Sequence, residues 1–209
     1  MNVTDKIAGL DFEVGDLVYF KAEPNTFMNI SEIALIESAD RKKLSREIED
    51  TISGVARIEC YWCHEDYKKG ITYNKGWFMS DELMPVTINN KGLHKLASIE
   101  LKEIVRFRGG KKVVDLEPDS NGVKVKKLKI YQQKLFVTEI KKESSKTNLK
   151  VIDREGNVKI VRQCAERMVK CKWFNAKENK FSEQYFPETS ITNNLELPII
   201  TIKSNPSQV

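Results

Sequence analysis

RIECYW, residues 57 to 62, and MVKCKW, residues 168 to 173, set out one pattern twice. Ile58, Cys60 and Trp62 alternate with polar or aromatic residues, as do Val169, Cys171 and Trp173. A period of two is the signature of a strand with one face buried, because successive side chains leave a strand on opposite sides. Working outward, Gly76-Trp-Phe-Met79 follows the first copy and Gln184-Tyr-Phe-Pro187 the second. Upstream, Val14-Gly-Asp-Leu-Val-Tyr-Phe-Lys21 pairs with Leu101-Lys-Glu-Ile-Val-Arg-Phe-Arg108, apolar on apolar and acid on acid. Between these anchors lie two β-branched segments, Phe27-Met-Asn-Ile-Ser-Glu-Ile33 and Lys134-Leu-Phe-Val-Thr-Glu-Ile140. The anchors recur in the same order, which reads as an internal repeat of short, turn-bounded strands and points to a sandwich or barrel.

The copies differ in what interrupts them. Asp40 to Thr51 is charged, with Leu44 and Ile48 four apart, and is predicted as a short amphipathic helix. The second copy inserts Gly109 to Gly122 and a hairpin, Leu149 to Val161, turning at Arg154-Glu-Gly-Asn157. The expected organisation is a first module over residues 11–88, a linker over 89–98 where Asn89-Asn-Lys-Gly92 breaks the pattern and Leu93 to Ala97 forms a helical turn, a second, basic module over 99–195, and a C-terminal tail over 196–209. The last stretch, KSNPSQV, is expected to be disordered.

These motifs resemble the YodC-like family of small bacterial proteins, in which a GD-x-V opening strand precedes a V-x-C-x-W-F segment and a closing F-P-x-x-x-L. Gly15, Asp16 and Val18 match the opening; Val169, Cys171, Trp173, Phe174, Phe186, Pro187 and Ile191 match the close. Met79 stands for the proline and Cys63 for the phenylalanine in the first copy, and Lys102-Glu103 for Gly-Asp in the second. The resemblance covers about half of the chain and implies a strongly bent SH3-like barrel. The expected fold class is therefore mainly β: two SH3-like small β-barrel modules in tandem, with short helical and hairpin insertions.

Cys60-Tyr-Trp-Cys63-His64 has the spacing of c-type haem attachment, and its CxxC that of half a zinc site. The opening residues hold no apolar core of signal-peptide length, so a cytoplasmic location is expected and covalent haem, a chemistry of exported proteins, is not. On a strand Cys60 and Cys63 face opposite ways, and Phe174 and Asn175 replace Cys63 and His64 in the second copy. A site from Cys60, Cys63, Cys164 and Cys171 would need both halves to converge, so Cys60 and Cys171 are expected as buried hydrophobes, with no metal or cofactor. His64 and His94 are the two histidines, and neither joins a nucleophile or acid/base motif. No P-loop or Rossmann glycine pattern occurs, and Glu65-Asp66 and Asp81-Glu82 read as turn residues, so neither an enzyme nor a small-molecule substrate is expected. No run approaches the roughly 18 apolar residues that span a bilayer, so no membrane partner is expected.

Charge is divided unequally. Residues 1–95 hold 12 Lys and Arg against 16 Asp and Glu, net −4, and residues 96–209 hold 23 against 14, net +9. Alternation places Trp62, Phe78, Trp173 and Phe186 in cores and Tyr61, Trp77, Phe174 and Tyr185 on the opposite faces, as candidate contacts. Lys170 and Lys172 flank Phe174, and Lys124, Lys126, Lys127 and Lys129 form a basic run, a combination suited to phosphate contact with base stacking. Glu59, Glu65 and Asp66 disfavour phosphate in the first copy, which suits docking instead. Two functions follow: a non-enzymatic accessory protein contacting nucleic acid without sequence preference through its basic half, or a protein-interaction adaptor holding together subunits of a larger bacterial assembly.

Overall fold

The computed structural model describes residues 7, 10–35, 56–86, 98–111, 115–118, 124–128, 133–142, 148–152, 156, 158–193 and 200–203. The expected helix over 40–51, the helical turn near Leu93, Lys129, the side chains of Lys124, Lys126 and Lys127, and residues 204–209 of the stretch expected to be disordered lie outside this description. The chain is mainly β, and every strand pairing is antiparallel.

The first run of strands is β1 (Leu17–Phe20), β2 (Glu23–Leu35), β3 (Ala56–Asp66), β4 (Gly70–Met79), a 3-10 turn at Ser80–Glu82, and β5 (Leu83–Pro85). There follow β6 (Ile104–Phe107), β7 (Gly110–Lys111), β8 (Asp115–Pro118), β9 (Lys124–Leu128), β10 (Lys134–Lys142), β11 (Leu149–Ile152), β12 (Val158–Cys164), β13 (Arg167–Asn175) and β14 (Lys180–Pro187). A 3-10 turn at Glu188–Ser190 leads to β15 (Ile191–Thr192), and β16 (Ile200–Lys203) closes the series.

One ladder occurs twice. β5-β1-β2-β3-β4 in the first run has the order of β15-β6-β10-β13-β14 in the second. The agreement extends to an irregularity. Ile30 pairs with Cys60 and the next residue, Ser31, bulges out; Val137 pairs with Cys171 and Thr138 bulges likewise. Each bulged hydroxyl donates to the facing strand, Ser31 Oγ to the Glu59 carbonyl at 3.0 Å and Thr138 Oγ1 to the Lys170 carbonyl at 3.1 Å. Ahead of β1, Gly15 N–H donates to Ile30 O (2.8 Å) and Ile30 N–H to Asp16 O (3.0 Å). Ahead of β6, Lys102 N–H donates to Val137 O (3.0 Å) and Val137 N–H to Glu103 O (2.9 Å). This turn needs a positive φ, +96° at Gly15 and +69° at Lys102, which glycine adopts without cost and lysine does not.

Two cores follow from the ladders, filled at corresponding positions. The first holds Val18, Met28, Ile30, Ile58, Cys60 and Leu83, with Phe20, Trp62 and Phe78 against it. The second holds Val105, Leu135, Val137, Val169, Cys171 and Ile191, with Phe107, Trp173 and Phe186. Cys60 and Cys171 are the buried hydrophobes the alternation implied. The RIECYWCHED strand runs unbulged against β4 from Arg57 to Asp66, so Cys60 enters the first core and Cys63 the second.

The two runs also interlock, so hydrogen-bonded sheets cross the boundary expected at 89–98. β12 pairs with β2 at Glu32–Ala34, and β7 pairs with it at Thr26–Phe27. The β11–β12 hairpin is the one expected over 149–161, with Gly156 at φ +84°. In return the β3–β4 hairpin presses Tyr61, Cys63, Ile71 and Tyr73 onto the second core. Its tip is held by Asn175, whose Nδ2 donates to the Lys69 carbonyl at 2.7 Å. A third sheet, β8-β9-β16, includes residues 200–203 of the expected tail. Among the described strands no pairing closes either ladder into a barrel.

Candidate functional site

In β13, Cys171 and Trp173 turn inward, so Lys170, Lys172 and Phe174 turn to the other face of the five-stranded sheet. Antiparallel register carries that face across its neighbours. Ile104, Phe136, Lys172 and Glu183 form one row over four strands. Glu139, Lys170 and Tyr185 form a second, and Phe174 and Phe181 a third. The four apolar members are exposed, Ile104 by 47%, Phe136 by 45%, Phe174 by 45% and Phe181 by 65%. Phe174 and Phe181 meet edge to face with centroids 5.4 Å apart.

Cations are laid over these rings. Lys172 Nζ lies 5.2 Å from the Phe181 centroid, and Lys141 Nζ lies 4.3 Å from that of Tyr185. Part of the charge is answered locally. Lys170 Nζ bonds Glu183 Oε1 at 2.8 Å, which holds the ammonium above its usual range and the carboxyl below its own. Tyr185 donates its hydroxyl to Glu139 Oε2 at 2.7 Å, and that bond raises the phenol. Lys170 Nζ also lies 5.9 Å from the Tyr185 centroid, so Lys141, Lys170 and Lys172 all set ammonium groups over rings of this face. The arrangement sets three exposed phenyl rings and the half-buried Tyr185 beside ammonium groups on one sheet face, groups able to stack on planar π-systems and to pair with anions.

Of the residues singled out from sequence, Lys170, Lys172, Phe174 and Tyr185 thus share one face. Phe136, Phe181, Ile104 and Lys141 belong with them and were not singled out. Alternation on Leu135 and Val137 would have found Phe136; Phe181 needed the register across the turn at 176–179. Lys124, Lys126 and Lys127 lie on β9, at the centre of the third sheet.

The first ladder does not offer the corresponding face, and here one expectation is corrected. Tyr61, a candidate contact, is 3% exposed. It does face away from Cys60, but that side is covered by the second run, and Phe27, Asn29, Glu59 and Cys63 are buried with it. A buried carboxylate needs partners. Glu59 accepts from Ser31 Oγ at 2.9 Å and from Lys75 Nζ at 3.0 Å, and that ammonium lies 5.7 Å from the Tyr61 ring centroid. Trp77 stays 44% exposed, with the Arg57 guanidinium 5.2 Å from its centroid.

The CxxC segment assembles no cluster. Burial pushes the Cys63 thiol up to about 12, and its Sγ donates to the Gly109 carbonyl at 3.4 Å. His64 points to solvent and bonds Thr72 Oγ1 and Asn74 Nδ2, each at 3.1 Å. Among the described residues no group of His, Cys, Asp and Glu has metal-binding geometry. No described helix is long and apolar enough to cross a membrane. Compared with protein-family models, with curated proteins and with solved structures, the chain matches none.

Proposed function

We propose that this chain is a pair of SH3-like modules, akin to those the YodC-like motifs imply, and that it binds single-stranded nucleic acid without sequence preference on the outer face of the second module. Five strands in the order 5-1-2-3-4, with a 3-10 turn before the last, support the SH3-like reading in both runs. The observation that carries the function is the interleaving of Phe136, Phe174, Phe181 and Tyr185 with Lys141, Lys170 and Lys172 on one sheet face. Rings accept any base by stacking, at about 1–3 kcal/mol each, and the ammonium groups meet the backbone phosphates. Among the described residues of this face the carboxylates Glu139 and Glu183 are engaged by Tyr185 and Lys170 rather than presented to base edges, which accords with absent sequence preference.

A second reading, the protein adaptor, is favoured by Glu139 and Glu183 among the lysines and by the apolar Ile104–Phe136 pair beside them. Titrating a labelled oligonucleotide at stepped salt separates the two. Phosphate neutralisation gives a steep log–log slope, and Lys141→Gln with Lys172→Gln, removing two contacts, flattens it by about 1.4 for a single strand. Absence of binding at low salt, or a slope unmoved by these changes, excludes the nucleic-acid reading and leaves the adaptor.

A further inference from the structure

Corresponding aromatic triads line the two cores, and among the described residues a fourth ring caps one of them. In the second run Phe107 and Phe186 lie 5.7 Å apart and Trp173 and Phe186 6.1 Å apart. In the first run their counterparts repeat the spacing, Phe20 and Phe78 at 5.7 Å and Trp62 and Phe78 at 5.9 Å. The second triad holds a fourth ring. Tyr73 stands edge-on to Phe107, Trp173 and Phe186 at 5.3, 5.0 and 4.9 Å. With that cap in place Phe107 is 2% exposed, Trp173 8% and Phe186 0%. Phe20, Trp62 and Phe78 are only partly buried, and among the described residues no fourth ring joins them.

The residue that occupies Tyr73's place in the other ladder is Phe181. Tyr73 pairs with Cys63 on the β3–β4 hairpin, and Phe181 pairs with Phe174 at the same step of β13–β14. Tyr73 is buried against its triad; Phe181 is 65% exposed. Among the described residues there is therefore one triad without a capping ring and one exposed ring at the capping position, Phe181, built to the pattern of a cap and triad that already fit each other. The two do not meet within the chain: Phe181 is 65% exposed and its ring stands against Phe174.

We propose that the Phe20–Trp62–Phe78 triad receives Phe181 of a second copy of this chain. The contact repeats between chains the packing that joins the two runs within one. It sets the basic second half, net +9, against the first half, net −4, so charge favours the encounter. Triad and cap are different surfaces, so the contact is head-to-tail: it ends in a closed ring where the rotation permits, and otherwise leaves one of each free at the ends and adds further copies. Phe174 is covered in the contact as Cys63 is within the chain, so bound oligonucleotide competes with it.

Sedimentation velocity on nuclease-treated protein over a wide concentration series tests this independently of the nucleic-acid reading. The wild type should grow from monomer to dimer and larger species with concentration. Phe181→Asp, at an exposed position, should remain monomeric throughout, and added to wild type it should shorten the assemblies by capping one end. Phe181→Tyr, which restores the ring found at position 73, should assemble like wild type. A wild type that stays monomeric at every concentration, or a Phe181→Asp variant that assembles equally well, overturns the proposal.

Discussion

Tyr73 of the first ladder and Trp173 of the second stand edge to face, ring centroids 5.0 Å apart and planes at 76°. That contact makes the two runs one folding unit, since the hairpin that completes the first sheet also completes the second core. Tyr73→Ala removes one ring from a cluster of four and leaves a cavity; a loss of about 3 kcal/mol is expected. Urea unfolding followed by tryptophan fluorescence and by circular dichroism should give coincident transitions in both proteins. Separate transitions for the two runs would show that the shared core does not couple them.

The paired bulges give an internal comparison. Ser31 Oγ is buried and serves both the Glu59 carbonyl and the Glu59 carboxylate, whereas Thr138 Oγ1 makes its one bond at the surface. Ser31→Ala withdraws a donor from a buried charge and should cost about 1–3 kcal/mol. Thr138→Val, with water at hand, should cost under about 0.5 kcal/mol. Equal losses in the urea midpoints would contradict the assignment of burial as the cause.

Lys102 and Gly15 occupy the same turn at positive φ, and only Gly15 has the residue type that the turn favours. Lys102→Gly should stabilise the protein by up to about 1 kcal/mol, and Gly15→Ala should destabilise it by about the same amount. Thermal unfolding of the two variants checks both signs at once. A loss on Lys102→Gly would mean that the lysine side chain contributes more than its backbone strain costs.

Burial lifts the Cys63 and Cys171 thiols from 9.0 to about 12. In the unfolded chain they ionise near the lower value, so the unfolded state binds fewer protons between the two values and stability falls as pH rises through that window. Each thiol contributes at most about 1.4 kcal/mol per pH unit there. The slope is half developed at pH 9.0, and at about two pH units below that value these thiols should add almost no pH dependence. Replacing both by alanine should shallow the alkaline slope in urea midpoints; an unchanged slope would assign it elsewhere.

Much of this is legible in the sequence because repetition supplies its own control. Val169, Cys171 and Trp173 identify Ile58, Cys60 and Trp62 as core, and Phe174 in the place of Cys63 argues against a metal there. The hairpin over 149–161 is legible from its turn. What alternation cannot supply is the identity of the surface facing a strand's second side. Tyr61 and Phe174 carry the same pattern, yet one is buried and the other exposed, because among the described residues it is the first ladder that has a neighbour on that side. Nor does anything in Glu32–Ala34 specify that its partner is β12, about 130 residues away, as the Arg162–Glu32 ion pair attests.

Chemical-shift mapping with an unlabelled single-stranded oligonucleotide tests the central claim most directly, because it reports where on the chain the ligand sits. The expected perturbations concentrate at Phe136, Lys141, Lys172, Phe174, Phe181 and Tyr185, on one face of β10, β13 and β14, and fade as salt rises. Perturbations confined to β9, or none at low salt, would contradict the assignment of that face as the nucleic-acid platform.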